Sequence, residues 1–355
     1  MHFLVFMFPR TSEKSFVELV PTTMAVSPSP GQRENIYDNA SVRSENTSSV
    51  LGPPVEFYLN YWVQILSLVL VLVGLVGNNM VLWFLTFRTR KNPFSIYILN
   101  LTWTDLLFLC CCFEMLIEEL IRPRHYSIMY VVSVYLANAI CTVGLSLLAV
   151  ISTERCLAVL FPSWYLQDRP KNMSAAVCAV LWALAGLFWG ADIFVCSSVR
   201  NWNFCYALSR LPVVWLVHFT PVMCGSSLTL LLRVQCSSQR RQPPRFYLLV
   251  LLMVLAFFLC GLPRAIEETI LRFPPYRLFP SDYPMLDYMV YCFLTLLACL
   301  KSTAYPFIYF FLGRQRRGRG RETLRVVLQR ALADEQELEA EKRNSDLTNT
   351  QETSF

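Results

Sequence analysis

The sequence predicts an all-α membrane protein, a seven-transmembrane helix bundle followed by an amphipathic eighth helix. Three observations carry this. Of 355 residues, 55% are hydrophobic and only 16% are charged, whereas an ordinary soluble domain has roughly 25% charged. The apolar residues are gathered into seven runs, at about 62–87, 94–117, 127–153, 174–195, 211–232, 246–271 and 287–312, and roughly 20 such residues span a bilayer as a helix. The arginines and lysines between runs are denser on one side. Arg88, Arg90 and Lys91, then Arg169 and Lys171, then Arg233, Arg240, Arg241 and Arg245, then Arg314, Arg316, Arg317, Arg319 and Arg321 share that side. The other side carries Arg122, Arg124, Arg200, Arg272 and Arg277 among acids. The positive-inside rule then places the N-terminus outside and the C-terminus in the cytosol. The net charge of +6 therefore belongs to loops that meet membrane lipids or an acidic partner, and nothing points to nucleic acid.

The chain divides into an extracellular N-terminus, 1–59, a seven-span domain, 60–313, an interfacial helix, 314–333, and a cytoplasmic tail, 334–355. Residues 25–56 are rich in Ser, Pro, Asn and Glu and predict disorder. They carry two glycosylation sequons, at Asn39 and Asn46. The sequons at Asn100 and Asn172 fall within the bilayer and on the cytosolic side, and read as chance matches. The apolar residues 1–8 are too few, and lack the basic leader, for a signal peptide.

The first span contains Gly74-Leu75-Val76-Gly77-Asn78-Asn79, small residues that let helices approach and asparagines able to bond across the contact. The second contains Asp105, and a carboxylate at that depth costs roughly 2.5–3.5 kcal/mol to insert, so it needs a partner in the bundle. Glu114, Glu118 and Glu119 lie farther along it. The third closes on Ser152-Thr153-Glu154-Arg155-Cys156 where the apolar run leaves the membrane. An arginine there either snorkels to the interface or serves function. Trp182 lies in the fourth span. Pro221 in the fifth and Pro263 in the sixth each free a backbone carbonyl one turn back. Arg264, Glu267 and Glu268 follow Pro263. Arg264 could hold an anionic ligand group through its fork of donors, or pair with the two acids at i+3 and i+4. After the seventh span, Leu324, Val327, Leu328, Ala331 and Leu332 make one helical stripe among arginines, a helix suited to lie on the inner leaflet. The chain ends Thr353-Ser354-Phe355, which a PDZ domain could add as a strand.

Most of the thirteen cysteines lie inside apolar runs and read as small core residues. Cys196 and Cys205 flank a short loop on the outer, oxidising side and are expected to be bridged. Such a closure contributes on the order of 3 kcal/mol in the chain-entropy model.

Together these residues resemble a rhodopsin-class G-protein-coupled receptor: Gly-Asn in the first span, Leu-xxx-Asp in the second, Glu-Arg-Cys closing the third, Trp in the fourth, Pro-xx-Tyr in the seventh. Closer motifs are similar to the Mas-related receptor family: Ile151-Ser152-Thr153-Glu154-Arg155-Cys156-Leu157 with Phe161-Pro162-Ser163-Trp164-Tyr165, Asn92-Pro93-Phe94-Ser95-Ile96-Tyr97, Cys224-Gly225-Ser226-Ser227-Leu228, Cys260-Gly261-Leu262-Pro263 and Val327-Leu328-Gln329-Arg330-Ala331-Leu332. The resemblance covers roughly 60–335. It implies an outer pocket for an extracellular peptide or small-molecule ligand and activation of a heterotrimeric G protein inside. It implies that Arg155 is released on activation and that Glu154 is its resting partner. It also implies the family's own Cys196–Cys205 bridge, with Tyr130 where most receptors of the class have a cysteine and Gly261 where they have a tryptophan switch.

Two departures stand out. The family's seventh-span Asn-Ser-Ser-Ala-Asn-Pro reads Lys301-Ser302-Thr303-Ala304-Tyr305-Pro306 here. Receptors of this class often hold sodium beside the second-span aspartate, so Lys301 is expected to replace the ion and pair with Asp105. Of the two acids that cation-binding members use, Asp192 matches one and Ser209 occupies the other place. Asp192, Arg264, Glu118, Glu268 and Asp287 are the pocket candidates.

The competing reading is a non-signalling or constitutively active seven-span scaffold that modulates other receptors. An enzyme or transporter is disfavoured. No paired intramembrane acids, no metal-spaced cluster among the three histidines and no inverted repeat is evident. No cofactor is implied.

Overall fold

The computed structural model describes residues 55–87, 93–122, 127–167, 169–170, 172–195, 208, 210–236, 245–272 and 284–314. Among them every regular element is helical. In hydrocarbon each backbone donor and acceptor must be satisfied within the segment, which a helix alone does without a partner strand. Among the described residues, seven helices are long and apolar enough to cross a membrane. They run Val55–Phe87, Pro93–Ile121, Ile128–Leu160, Met173–Phe194, Leu211–Cys236, from Arg245 through Arg272, and Pro284–Arg314. The helices outrun the apolar stretches because backbone hydrogen bonding continues past the point where charged side chains begin. The third span therefore extends to Leu160 and carries Glu154 and Arg155 within its regular ladder.

The third span is the hub, with 67% of its most hydrophobic stretch buried against 28% for the first, fourth, fifth and sixth. Polar contacts fix its neighbours. Ser127 caps its start by accepting from Tyr130 N at 3.2 Å. The Ser127 backbone N–H and hydroxyl in turn donate to Glu118 at 3.0 and 2.7 Å. The end of the second span is thus tied to the start of the third. Ser226 donates to Ser152 at 2.7 Å, and Ser227 lies 2.8 Å from the same hydroxyl, joining the fifth span to the third. Asn78 donates to Gly74 O and to Ser302 O at 2.9 and 3.0 Å, and Thr303 donates to Leu70 O at 3.0 Å. These bonds hold the first span on the seventh. Trp182 donates to Asn100 at 3.2 Å, so that sequon residue is a packing contact between the second and fourth spans.

A Cβ on Gly74 would stand 2.5 Å from Thr303 Oγ1 and 2.8 Å from Leu109 Cδ1. The first span approaches the bundle through the absence of that carbon. Gly74→Val is expected to lower the melting temperature of purified protein, since overpacking costs typically 1–3 kcal/mol. An unchanged melting curve would show that the first span is not held at this point.

The sixth span is irregular where proline demands it. Pro263 has no N–H and its ring crowds the carbonyl four residues back. The turn at Phe257–Gly261 widens, and Leu262 N–H reaches back to Phe257 O. A second wide turn covers Glu267–Arg272. Such turns interrupt the ladder without abandoning it. A short helix, Pro162–Gln167, follows the third span, with proline at the first helical position where its missing donor costs nothing.

The expectations for Asn39, Asn46, Cys196, Cys205, Ser209, the interfacial helix and the cytoplasmic tail lie outside the described residues. So does the side chain of Asp287.

Candidate functional site

The site has three parts: an arginine store where the third span ends, a charge pair in the bundle, and a cavity toward the other end.

Arg155 is 2% exposed. Its guanidinium lies 4.5 Å from the centre of the Phe94 ring and 5.9 Å from that of Tyr165. It donates to Tyr165 Oη at 3.3 Å. Aromatic faces suit a planar, weakly hydrated cation. Phe94 comes from the start of the second span and Tyr165 from the short Pro162–Gln167 helix, so two elements clasp the third.

The expected resting partnership of Glu154 with Arg155 is replaced by another. Glu154 accepts from Arg169 on both oxygens, at 3.0 and 2.8 Å, and from Tyr97 Oη at 2.7 Å. Successive helical residues do not face each other, so Glu154 points to a different neighbourhood from Arg155. Arg169 also donates to Ser174 at 2.6 Å and lies 5.2 Å from the Tyr165 ring centre. Burial works against the Arg169 charge, but the hydrogen bond and attraction of Glu154 outweigh it and raise the guanidinium above its usual range. Arg169 was visible in the sequence only as a loop charge, and Tyr97, Phe94 and Tyr165 only as parts of motifs.

Lys301 Nζ lies 3.1 Å from Asp105 Oδ1. The acid is sealed, with a side chain 1% exposed, while that of Lys301 is 12% exposed. The ammonium also lies 5.8 and 5.5 Å from the ring centres of Phe108 and Tyr305. Gly261 makes room for this side chain. A Cβ there would come within 3.1 Å of Lys301 Cδ and 2.9 Å of Phe257 Cδ2. Gly261→Ala is expected to destabilise the protein by about 1–3 kcal/mol, and less in a Lys301→Asn background, where the shorter side chain leaves that space. Equal losses in both backgrounds, measured by thermal unfolding, would remove Lys301 from the explanation.

The cavity lies among the second to seventh spans and measures about 80 Å³, several times the roughly 10–15 Å³ a water needs. Aromatic and aliphatic side chains dominate its wall, and Arg264, Glu268, Lys301 and Asn138 supply polar groups. Arg264 bonds Glu267 at 2.6 Å, pairs with Glu268, and lies 4.4 Å from the Tyr291 ring centre. These are the on-helix partners its spacing offers. Asn138 was not among the sequence candidates, being a lone amide on an apolar stretch. Asp192 is buried on the fourth span, at 2% exposure, and is not in the cavity wall. Glu118 is not in it either and is engaged by Ser127. Two expected acids are thus absent from the wall.

Comparison with known proteins places this geometry. The family model described as "7 transmembrane receptor (rhodopsin family)" matches residues 77–309. The chain is 40% identical over 293 residues to Mas-related G-protein coupled receptor member E of Mus musculus, covering 80% of this chain and 91% of the relative. It is 41% identical over 287 residues to member D of Macaca fascicularis, covering 76% and 84%. It is 40% identical over 282 residues to member X1 of Homo sapiens, covering 78% and 85%. These are receptors rather than enzymes. With seven membrane-crossing helices, a matching rhodopsin-family model and these relatives, the chain belongs to the Mas-related G-protein-coupled receptors, multi-pass proteins of the plasma membrane.

Proposed function

We propose that the chain is a ligand-activated receptor that promotes nucleotide exchange on a heterotrimeric G protein. The observation that carries this reading is the store of Arg155. A permanently charged guanidinium is buried at the end of the hub helix between the Phe94 and Tyr165 rings, the one from the first turn of the second span and the other from the short helix after the third. On this reading the basic loops face the cytosol and the N-terminus is extracellular. An extracellular peptide or small molecule enters the cavity, and Arg155 leaves its aromatic store to pack under the G protein. Glu154 acts as the anchor that Arg169 and Tyr97 hold. Lys301 takes the place of a sodium ion beside Asp105. The Cys196–Cys205 bridge and glycosylation at Asn39 and Asn46 belong to the same reading of the outer side.

One contact favours the scaffold reading. Tyr305, in the place of the family's second asparagine, is fully buried and donates to Met253 O at 3.2 Å, tying the seventh span to the sixth. Overexpression with a G-protein dissociation sensor separates the two. The receptor reading expects a signal that rises with receptor level or with an agonist and is lost in Arg155→Ala at matched surface expression. A signal that Arg155→Ala leaves intact would overturn it.

A further inference from the structure

We propose that the cavity takes a ligand headed by a carboxylate, with an apolar or aromatic body, and that the carboxylate binds between Lys301 and Asn138. This rests on the reading of the cavity as the receptor's ligand site and names the class of ligand.

Asp105 is sealed behind Lys301. What the cavity meets of this pair is the ammonium, which has three donors and lies at ion-pairing distance from one oxygen of its acid. Arg264 and Glu268 also stand in the wall, and Glu267, which Arg264 bonds as well, does not. Arg264 is thus matched by two acids, whereas Lys301 is the wall cation whose own acid lies outside the wall.

The second observation is independent of charge. The Asn138 side-chain N–H₂, on the third span, is buried with no hydrogen-bond partner, and Asn138 lines the same cavity. A buried amide donor without a partner is costly, so an acceptor arriving there recovers that penalty. The nearby polar groups are committed to one another. Thr142 donates to Asn138 O at 2.9 Å and accepts from Trp189 at 3.3 Å, and Trp215 donates to Ser146 at 2.7 Å. What remains for a ligand is an ammonium and the unpartnered N–H₂ end of an amide. The rest of the wall includes Phe108, Leu145, Trp189, Trp215 and Phe257, a surface for an apolar body. The acids that would have received a cationic group, Asp192 and Glu118, stand outside the wall.

The consequence reaches the core of the bundle. A ligand carboxylate at Lys301 competes with Asp105 for the same ammonium. Binding would loosen the contact between the second and seventh spans and link cavity to bundle without a mobile ion.

The test uses purified full-length receptor in lipid nanodiscs and three matched probes at millimolar concentration: phenylacetate, the neutral phenylacetamide and the cationic phenethylamine. Melting temperature is followed against probe concentration. Phenylacetate is expected to shift the midpoint more than the other two. Its apparent affinity is expected to fall roughly tenfold or more in Asn138→Ala and in Lys301→Asn, as loss of a charge-assisted hydrogen bond implies, with the neutral phenylacetamide, whose oxygen is the weaker acceptor, losing less. A short blocked peptide ending in phenylalanine, as free acid and as amide, distinguishes a peptide terminus from a free acid as the source of the carboxylate. Equal shifts for all three probes, a larger shift for the amine, or a carboxylate response indifferent to both variants would overturn the proposal. The G-protein sensor reads coupling separately. A receptor that couples through Arg155 yet shows one of those three outcomes would refute this ligand class and leave the receptor reading standing.

Discussion

Replacing either Asp105 or Lys301 by alanine is expected to remove most of the receptor from the cell surface. The side chains of the pair are 1% and 12% exposed. Breaking such a pair from one side leaves an uncompensated charge in the bundle and typically costs about 3–5 kcal/mol, a large part of the 5–15 kcal/mol by which a domain is stable. Because each single variant strands the other's charge, the double alanine variant is expected to be less impaired than the sum of the two. Lys301→Asn is expected to be milder, since the vacated space beside Asp105 then suits a sodium ion. Surface staining of an epitope-tagged receptor checks all four. Wild-type surface levels in both single alanine variants would show that the pair contributes little.

The second large effect is expected at Arg169. It bonds both oxygens of Glu154, at 3.0 and 2.8 Å, with side chains 6% and 8% exposed. Arg169→Ala strands that carboxylate with Tyr97 and with Arg155 next to it in the chain. A loss of about 3–5 kcal/mol is expected on the same grounds. Signalling should change as well. Arg169 lies just beyond the Pro162–Gln167 helix, against the ring of Tyr165 that clasps Arg155. Without the anchor this clasp loosens, and basal G-protein dissociation per receptor at the surface is expected to rise. Tyr165→Phe, which removes only the hydroxyl, should raise it less. Basal signalling that falls in Arg169→Ala would mean that Glu154 recaptures Arg155, and that Arg169 promotes coupling rather than restraining it.

The bundle and the Asp105–Lys301 pair were legible in the sequence for one reason. A bilayer penalises unsatisfied backbone and unpaired charge, so apolar runs are helices and an intramembrane acid is expected to have a partner. The pairing of Arg264 with Glu267 and Glu268 was legible as helical spacing. The partner of Glu154 was not. Arg169 reaches it after the chain has left the third span, made a six-residue helix and turned back, and no periodicity encodes that return. The cavity wall was half legible. Arg264 and Glu268 line it, but Asp192 is buried outside it, and Asn138 carried no signal until the structure showed its amide unpartnered beside the cavity. The wide turn at Phe257–Gly261 was foreshadowed by Pro263, whereas the clearance that Gly261 gives Lys301 depends on two spans meeting.

The proposed exchange activity, with its cation built into the chain, is tested most directly by guanine-nucleotide exchange on a purified heterotrimer, catalysed by receptor in nanodiscs across a sodium titration at constant ionic strength. Wild-type exchange should be flat with sodium and Lys301→Asn exchange should slow as sodium rises. A wild-type receptor that slows with sodium, and loses that response in Asp105→Asn, would contradict the claim.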